Sequence, residues 1–174
     1  RRLYAAGMPD EALRAIGLTV GSDVPFCVSG GTSLAEGRGE RLTDLPPLPV
    51  CQIVLCKPDF GISTPELFVL ADGAVLSKRP DIAGLTAALQ GGELTGVTDR
   101  LCNVFEEFLP ERYREVFRIK EILLAHGALN AAMSGSGPTV YGIFESAAEA
   151  QRAAEVLKKS YQQTYVAKPV KKLV

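Results

Sequence analysis

The chain has no tryptophan and one histidine, and no apolar run approaches the ~18 residues that a membrane-spanning helix requires. A lone His126 excludes a multi-histidine zinc site. Its place just before Gly127, at an expected helix end, assigns it to the helix C-terminus rather than to catalysis. An excess of one charge is also missing, since 19 basic and 20 acidic side chains leave a net charge of −1. Nucleic-acid surfaces show a wide basic face, whereas the one basic run here, Lys168 to Lys172, reads as a solvated tail. Nucleic acid and membrane are therefore set aside as partners. The cysteines, Cys27, Cys51, Cys56 and Cys102, lack metal-ligand spacing. Cys51 and Cys56 flank Gln52-Ile53-Val54-Leu55 in a strand-like run, so buried free thiols in a reducing cytoplasm are expected. The opening Arg1-Arg2-Leu3-Tyr4, without a long apolar stretch behind it, gives no signal-peptide pattern and reads as the tail of a longer helical region.

What is present reads as two segments. Residues 9–16 predict a short helix, with Pro9 in the first turn, Asp10 and Glu11 after it and Gly17 at the stop. An extended piece, Thr32 to Glu36, lies between the turns Gly30-Gly31 and Gly37-Arg38-Gly39. Pro46-Pro47-Leu48-Pro49 is stiff and extended and marks a boundary, giving domains 1–46 and 47–174. Beyond it, Val50 to Cys56 is a buried strand. A helix starts at Thr64-Pro65-Glu66, with Thr64 as N-cap and Pro65 at the first helical position. A second helix is expected from Thr98-Asp99 through Phe108, and a third over 113–126 with Val116, Ile119 and Leu123 on one face. Strands over 129–133 and 139–144, a helix opened by the capping box Ser146-Ala147-Ala148-Glu149, and a closing strand over 164–168 complete the order. Strand, helices, strand, strand, helix, strand is the ferredoxin-like split β-α-β arrangement, an α+β fold, enlarged by extra helices after its first strand.

Two motifs can carry chemistry. Gly21-Ser22-Asp23-Val24-Pro25-Phe26 sets one carboxylate between small residues and a proline. A carboxylate held by rigid backbone can accept the proton of an attacking hydroxyl, or Ser22 or Asp23 can simply cap a short helix. Met133-Ser134-Gly135-Ser136-Gly137-Pro138 is a glycine-rich turn whose amides could hold phosphate, or else a hairpin connection. It is not a Walker loop, because no lysine follows the glycines. Helix N-termini favour anions, and beyond Gly61-Ile62-Ser63-Thr64 the ring of Phe68 either stacks on a flat ligand or packs in the core.

From about residue 10 onward these motifs, in order and spacing, resemble the C-terminal portion of a GHMP superfamily kinase. Gly37-Arg38-Gly39-Glu40, Lys57 to Thr64, Asn103-Val104-Phe105-Glu106 and Gly127-Ala128 add to the likeness. The branch indicated acts on a cytidine-diphosphate-linked methylerythritol rather than on mevalonate or homoserine. The resemblance implies phosphorylation of that substrate's 2-hydroxyl with ATP and Mg²⁺, in non-mevalonate isoprenoid synthesis. It implies Asp23 as catalytic base, Ser134, Gly135, Ser136 and Gly137 as phosphate ligands, and Thr64 and Phe68 at the substrate, Phe68 against the cytosine. No protein metal ligand is assigned. Residues 1–46 would be the end of the family's N-terminal domain. The family's N-terminal lysine and its Gly-Leu-Gly-Gly-Gly-Ser-Ser ATP loop have no counterpart here. The expectation is thus a piece lacking roughly the first two fifths of the enzyme, with little kinase activity alone, since the stabilisation of the transferring phosphoryl group is missing. A non-catalytic ligand-binding module on the same fold, or a sibling kinase for another small alcohol, are the alternatives.

Overall fold

The computed structural model describes residues 7–77 and 79–170; the opening Arg1-Arg2-Leu3-Tyr4 and the end of the basic run, Lys171 and Lys172, lie outside them. The described residues form two compact units, one reaching Pro47 and the other covering Leu48–Pro169.

In the first unit, helix α1 (Asp10–Val20) starts where its acidic first turn indicates but runs through Gly17 instead of stopping there. Gly17 is buried, and a Cβ on it would stand 2.8 Å from Val24 Cγ1. The glycine therefore serves a close crossing of α1 with helix α2 (Val24–Ser29), not a helix end. Strands β1 (Thr32–Glu36) and β2 (Arg41–Leu45) form an antiparallel hairpin in register from Thr32↔Leu45 to Glu36↔Arg41. β2, with Leu42 and Leu45 as its only apolar residues, has no strand signature of its own and is made by its partner.

In the second unit, β3 (Gln52–Lys57), β4 (Asn130–Met133), β5 (Val140–Phe144) and β6 (Gln163–Ala167) form one sheet in the order β4-β5-β3-β6, antiparallel throughout. Helices α3 (Thr64–Asp72), α4 (Ile82–Gly91) and α5 (Leu94–Thr98) precede α6 (Glu115–Ala125), and α7 (Ala147–Lys158) joins β5 to β6. The core lies between the sheet and α6 and α7. Val116, Ile119 and Leu123 of α6 and Ala150, Ala153, Ala154 and Leu157 of α7 meet Val54, Cys56, Val140 and Phe144 of the strands. This is the ferredoxin-like arrangement expected, with α3, α4 and α5 as the added helices. Cys51 and Cys56 are buried and free, and His126 Nδ1 lies 2.7 Å from the Ile122 carbonyl at the end of α6, both as expected.

The expected helix from Thr98 through Phe108 does not form. α5 ends at Thr98, and Val104–Phe108 is a 3-10 turn. The Asn103 side chain accepts the Phe105 N–H at 3.0 Å, a local bond that competes with α-helical pairing.

Tyr161 gives a pH signature. Burial, then its hydrogen bond to the Glu115 carboxylate, pushes its hydroxyl up to about 12. The folded chain holds this proton more tightly than the unfolded chain, whose tyrosine titrates near pH 10. The contribution is complete below about pH 10 and is lost as pH rises toward 12. Urea titrations are expected to show stability falling across that window, with the fall reduced in Tyr161→Phe.

Candidate functional site

Asp23 is exposed and occupies the N-cap position of α2, yet its side chain makes no capping bond. The capping role open to it in the sequence is not taken up. Its backbone is held on both sides: Val24 N–H donates to the Gly21 carbonyl and Cys27 N–H to that of Asp23, each at 3.2 Å. From the β1–β2 turn, Gly39 at φ +106° packs on the carbonyl of Ser22, where a Cβ would meet that oxygen at 2.3 Å. That turn is fixed by Glu40, whose carboxylate accepts the Arg38 N–H at 2.6 Å. Hydrogen bonds from its own and the Arg38 backbone N–H hold the Glu40 carboxyl below the usual range. The result is an acid on constrained backbone with its oxygens open.

In the second unit, Ser134–Gly137 lies in the hairpin connection between β4 and β5. Ser134 N–H donates to Thr139 at 2.8 Å and Gly137 N–H to Ser134 at 2.9 Å, closing the turn. Gly135 at φ +56° and Gly137 at φ +76° provide the left-handed backbone this path requires. The next two amides, of Gly135 and Ser136, have no acceptor among the described residues. Space beside Gly135 is open. Adjacent free amides at a left-handed residue make an anion-binding concavity.

Thr64 is not the N-cap of α3. Ser63 is, accepting the Glu66 N–H at 3.4 Å. The spacing Ser63-x-x-Glu66 is the capping-box signal that could have placed it. Ser63→Ala is expected to cost about 0.5–2 kcal/mol, seen as a lowered thermal midpoint. Freed from capping, the Thr64 hydroxyl lies 2.6 Å from Ser136 Oγ, which ties the start of α3 to the glycine turn. Phe68, one turn along α3, is 56% exposed rather than packed in the core, and its edge meets Phe105 at 5.3 Å and 85°.

The structure thus gathers Thr64, Ser136 and the rest of the glycine turn, with Phe68 on the same helix as Thr64; Asp23 belongs to the first unit. Beside the turn, a cavity of about 360 Å³ is lined by Asn103, Phe105, Met133, Ser134, Gly135 and Tyr141, among others. Burial and then the nearby Glu106 push the Tyr141 hydroxyl up. Of these, Phe105 and Tyr141 carried no sequence signal separating them from ordinary core aromatics. Among the described residues no three His, Cys, Asp or Glu side chains group to hold a metal ion, and no helix is long and apolar enough to cross a membrane.

A split β-α-β sheet with a glycine turn leading from its edge strand β4 into β5 matches the C-terminal part of a known kinase architecture. Residues 85–163 match the family model described as GHMP kinases C terminal. Across nearly its whole length the chain is similar to curated 4-diphosphocytidyl-2-C-methyl-D-erythritol kinases. The Clostridium novyi protein is 37% identical over 98% of this chain and 61% of its own length. The Enterococcus faecalis protein is 41% identical over 98% and 60%. A crystal structure of 4-(cytidine 5'-diphospho)-2C-methyl-D-erythritol kinase superposes with a TM-score of 0.75 at 28% identity, over 97% of this chain and 59% of that one. The chain therefore spans about three fifths of the length of the curated relatives it matches.

Proposed function

We propose that this chain is part of an ATP-dependent kinase that phosphorylates the 2-hydroxyl of 4-diphosphocytidyl-2-C-methyl-D-erythritol, in the non-mevalonate route to isoprenoids. The observation that carries this reading is the pair of free amides at Gly135 and Ser136, held beside Thr64. The names of the relatives supply the substrate. Residues 1–46 are taken as the end of the kinase's N-terminal domain and 47–174 as its C-terminal domain. The cytoplasm is the proposed location, in keeping with four free cysteines.

ATP would supply the phosphoryl group, the bond from its γ-phosphorus to the β–γ bridging oxygen breaking as ADP leaves. Asp23 accepts the proton of the substrate's 2-hydroxyl as that oxygen attacks phosphorus. The Gly135 and Ser136 amides donate to phosphate oxygens, and Thr64 holds the turn through Ser136. The exposed ring of Phe68 stacks on the cytosine. The free amides fit a phosphate. Mg²⁺ in kinases is held by one or two carboxylates together with substrate phosphates, so the lone Asp23 carboxylate fits it only alongside nucleotide.

Calorimetric titration of the 174-residue chain with CDP is expected to give saturable binding. Phe68→Ala is expected to weaken it by about 1–3 kcal/mol, the worth of one base–aromatic stack. Absence of CDP binding by the unaltered chain would contradict the substrate assignment.

A further inference from the structure

β4 is an edge strand, and its alternation leaves Met133 with N–H and C=O facing away from β5. Both groups are met by side chains from the Val104–Phe108 turn and its cap. Glu106 Oε1 accepts the Met133 N–H at 2.6 Å, while Glu106 Oε2 pairs with Lys120 of α6. Asn103 Nδ2 donates to the carbonyls of Met133 and Gly135, each at 2.8 Å, and Asn103 Oδ1 accepts the Phe105 N–H. Every hydrogen-bonding atom of the Asn103 side chain is thus engaged, which also fixes the orientation of its amide. Glu106 and Lys120 are largely buried, with side chains 14% and 20% exposed, so their pairing is not a surface contact of negligible weight.

The bond to Gly135 reaches the proposed phosphate site directly. A trans peptide is planar, with its C=O and N–H pointing oppositely. A donor fixed on the Gly135 carbonyl therefore aims the Ser136 N–H of the same peptide away from Asn103. Glycine would otherwise let that peptide rotate at little cost. On the far side of the same residue, Ser136 Oγ is held by Thr64. We infer that Asn103 is a positioning residue that locks the Ser134–Gly137 turn in the form whose Gly135 and Ser136 amides receive phosphate. The inference rests on the reading of that turn as phosphate-binding.

The test is a titration of the ¹⁵N-labelled 174-residue chain with ADP, read at the Gly135 and Ser136 amides. The unaltered chain is expected to show saturable shifts at both. Asn103→Asp keeps an acceptor for the Phe105 N–H but sets oxygens against two carbonyls. It is expected to weaken ADP binding by about tenfold or more and to lose the Ser136 shift. Glu106→Gln, which keeps an acceptor for Met133, is expected to retain the Ser136 shift. A merely structural role would lower the thermal midpoint of Asn103→Asp and leave ADP affinity and the Ser136 shift unchanged in the folded fraction. That result overturns the inference. If Asn103→Asp does not fold, Asn103→Ser is read in the same way. Amides of the unaltered chain that ignore millimolar ADP overturn the phosphate reading beneath it, whereas a normal wild-type response matched by the variant overturns this inference alone.

Discussion

Asp23→Asn is expected to lower kcat by about 10²–10⁴-fold with little change in KM for the cytidine substrate, the usual worth of a positioned general base. The measurement requires a complete kinase. A chimera joining this chain to the part of the Enterococcus faecalis relative that it does not span would provide one. The split between kcat and KM follows from geometry. The Asp23 side chain makes no capping bond in the folded chain, so an amide in its place disturbs no internal contact. Asparagine still accepts a hydrogen bond but does not take up a proton near neutral pH. A loss confined to KM, or a fully active variant, would remove Asp23 from the chemistry.

Gly137→Ala is expected to be the most damaging small substitution in the second unit. Its φ of +76° costs an alanine roughly 1–2 kcal/mol. The added Cβ would also stand 2.4 Å from Met133 Sδ and 3.1 Å from Ile62 Cδ1. Met133 is fully buried in the core, so its thioether moves only by displacing neighbours, at a further ~1–3 kcal/mol. The sum, about 2–5 kcal/mol, corresponds to a fall in thermal midpoint of roughly 5–15 °C for a chain of this size. Gly135→Ala is the internal control. It has a similar φ, +56°, but open space around the Cβ, so only the backbone cost applies. Equal midpoints for the two variants would show that Met133 does not press on the turn as described.

The ferredoxin-like sheet was legible because its strands are short apolar runs and because α6 and α7 carry their buried residues at helical spacing. Local signals mislead where tertiary contacts override them. Gly17 reads as a helix stop but marks a helix crossing, and β2 has too few apolar residues to declare itself. Leu101, Phe105 and Phe108 suggest an α-helix, but the side-chain bonds of Asn103 hold that segment to the glycine turn. The Asp23 and Ser134–Gly137 candidates stand out in the sequence because glycines and small residues punctuate regular structure. What Thr64 and Asn103 do does not stand out, since each acts on a partner more than thirty residues or more than seventy residues away. No local pattern encodes such a contact. The Ser63-x-x-Glu66 spacing carries the capping signal in the sequence, and Thr64 stands one residue too close to Glu66 to use it.

The proposed kinase activity is tested by ADP release from the same chimera with ATP and three alcohols offered separately: 4-diphosphocytidyl-2-C-methyl-D-erythritol, mevalonate and homoserine. Turnover is expected with the cytidine compound alone, and its loss on Asp23→Asn. Turnover with either of the other alcohols, or undiminished turnover of the cytidine compound after that substitution, would contradict the account.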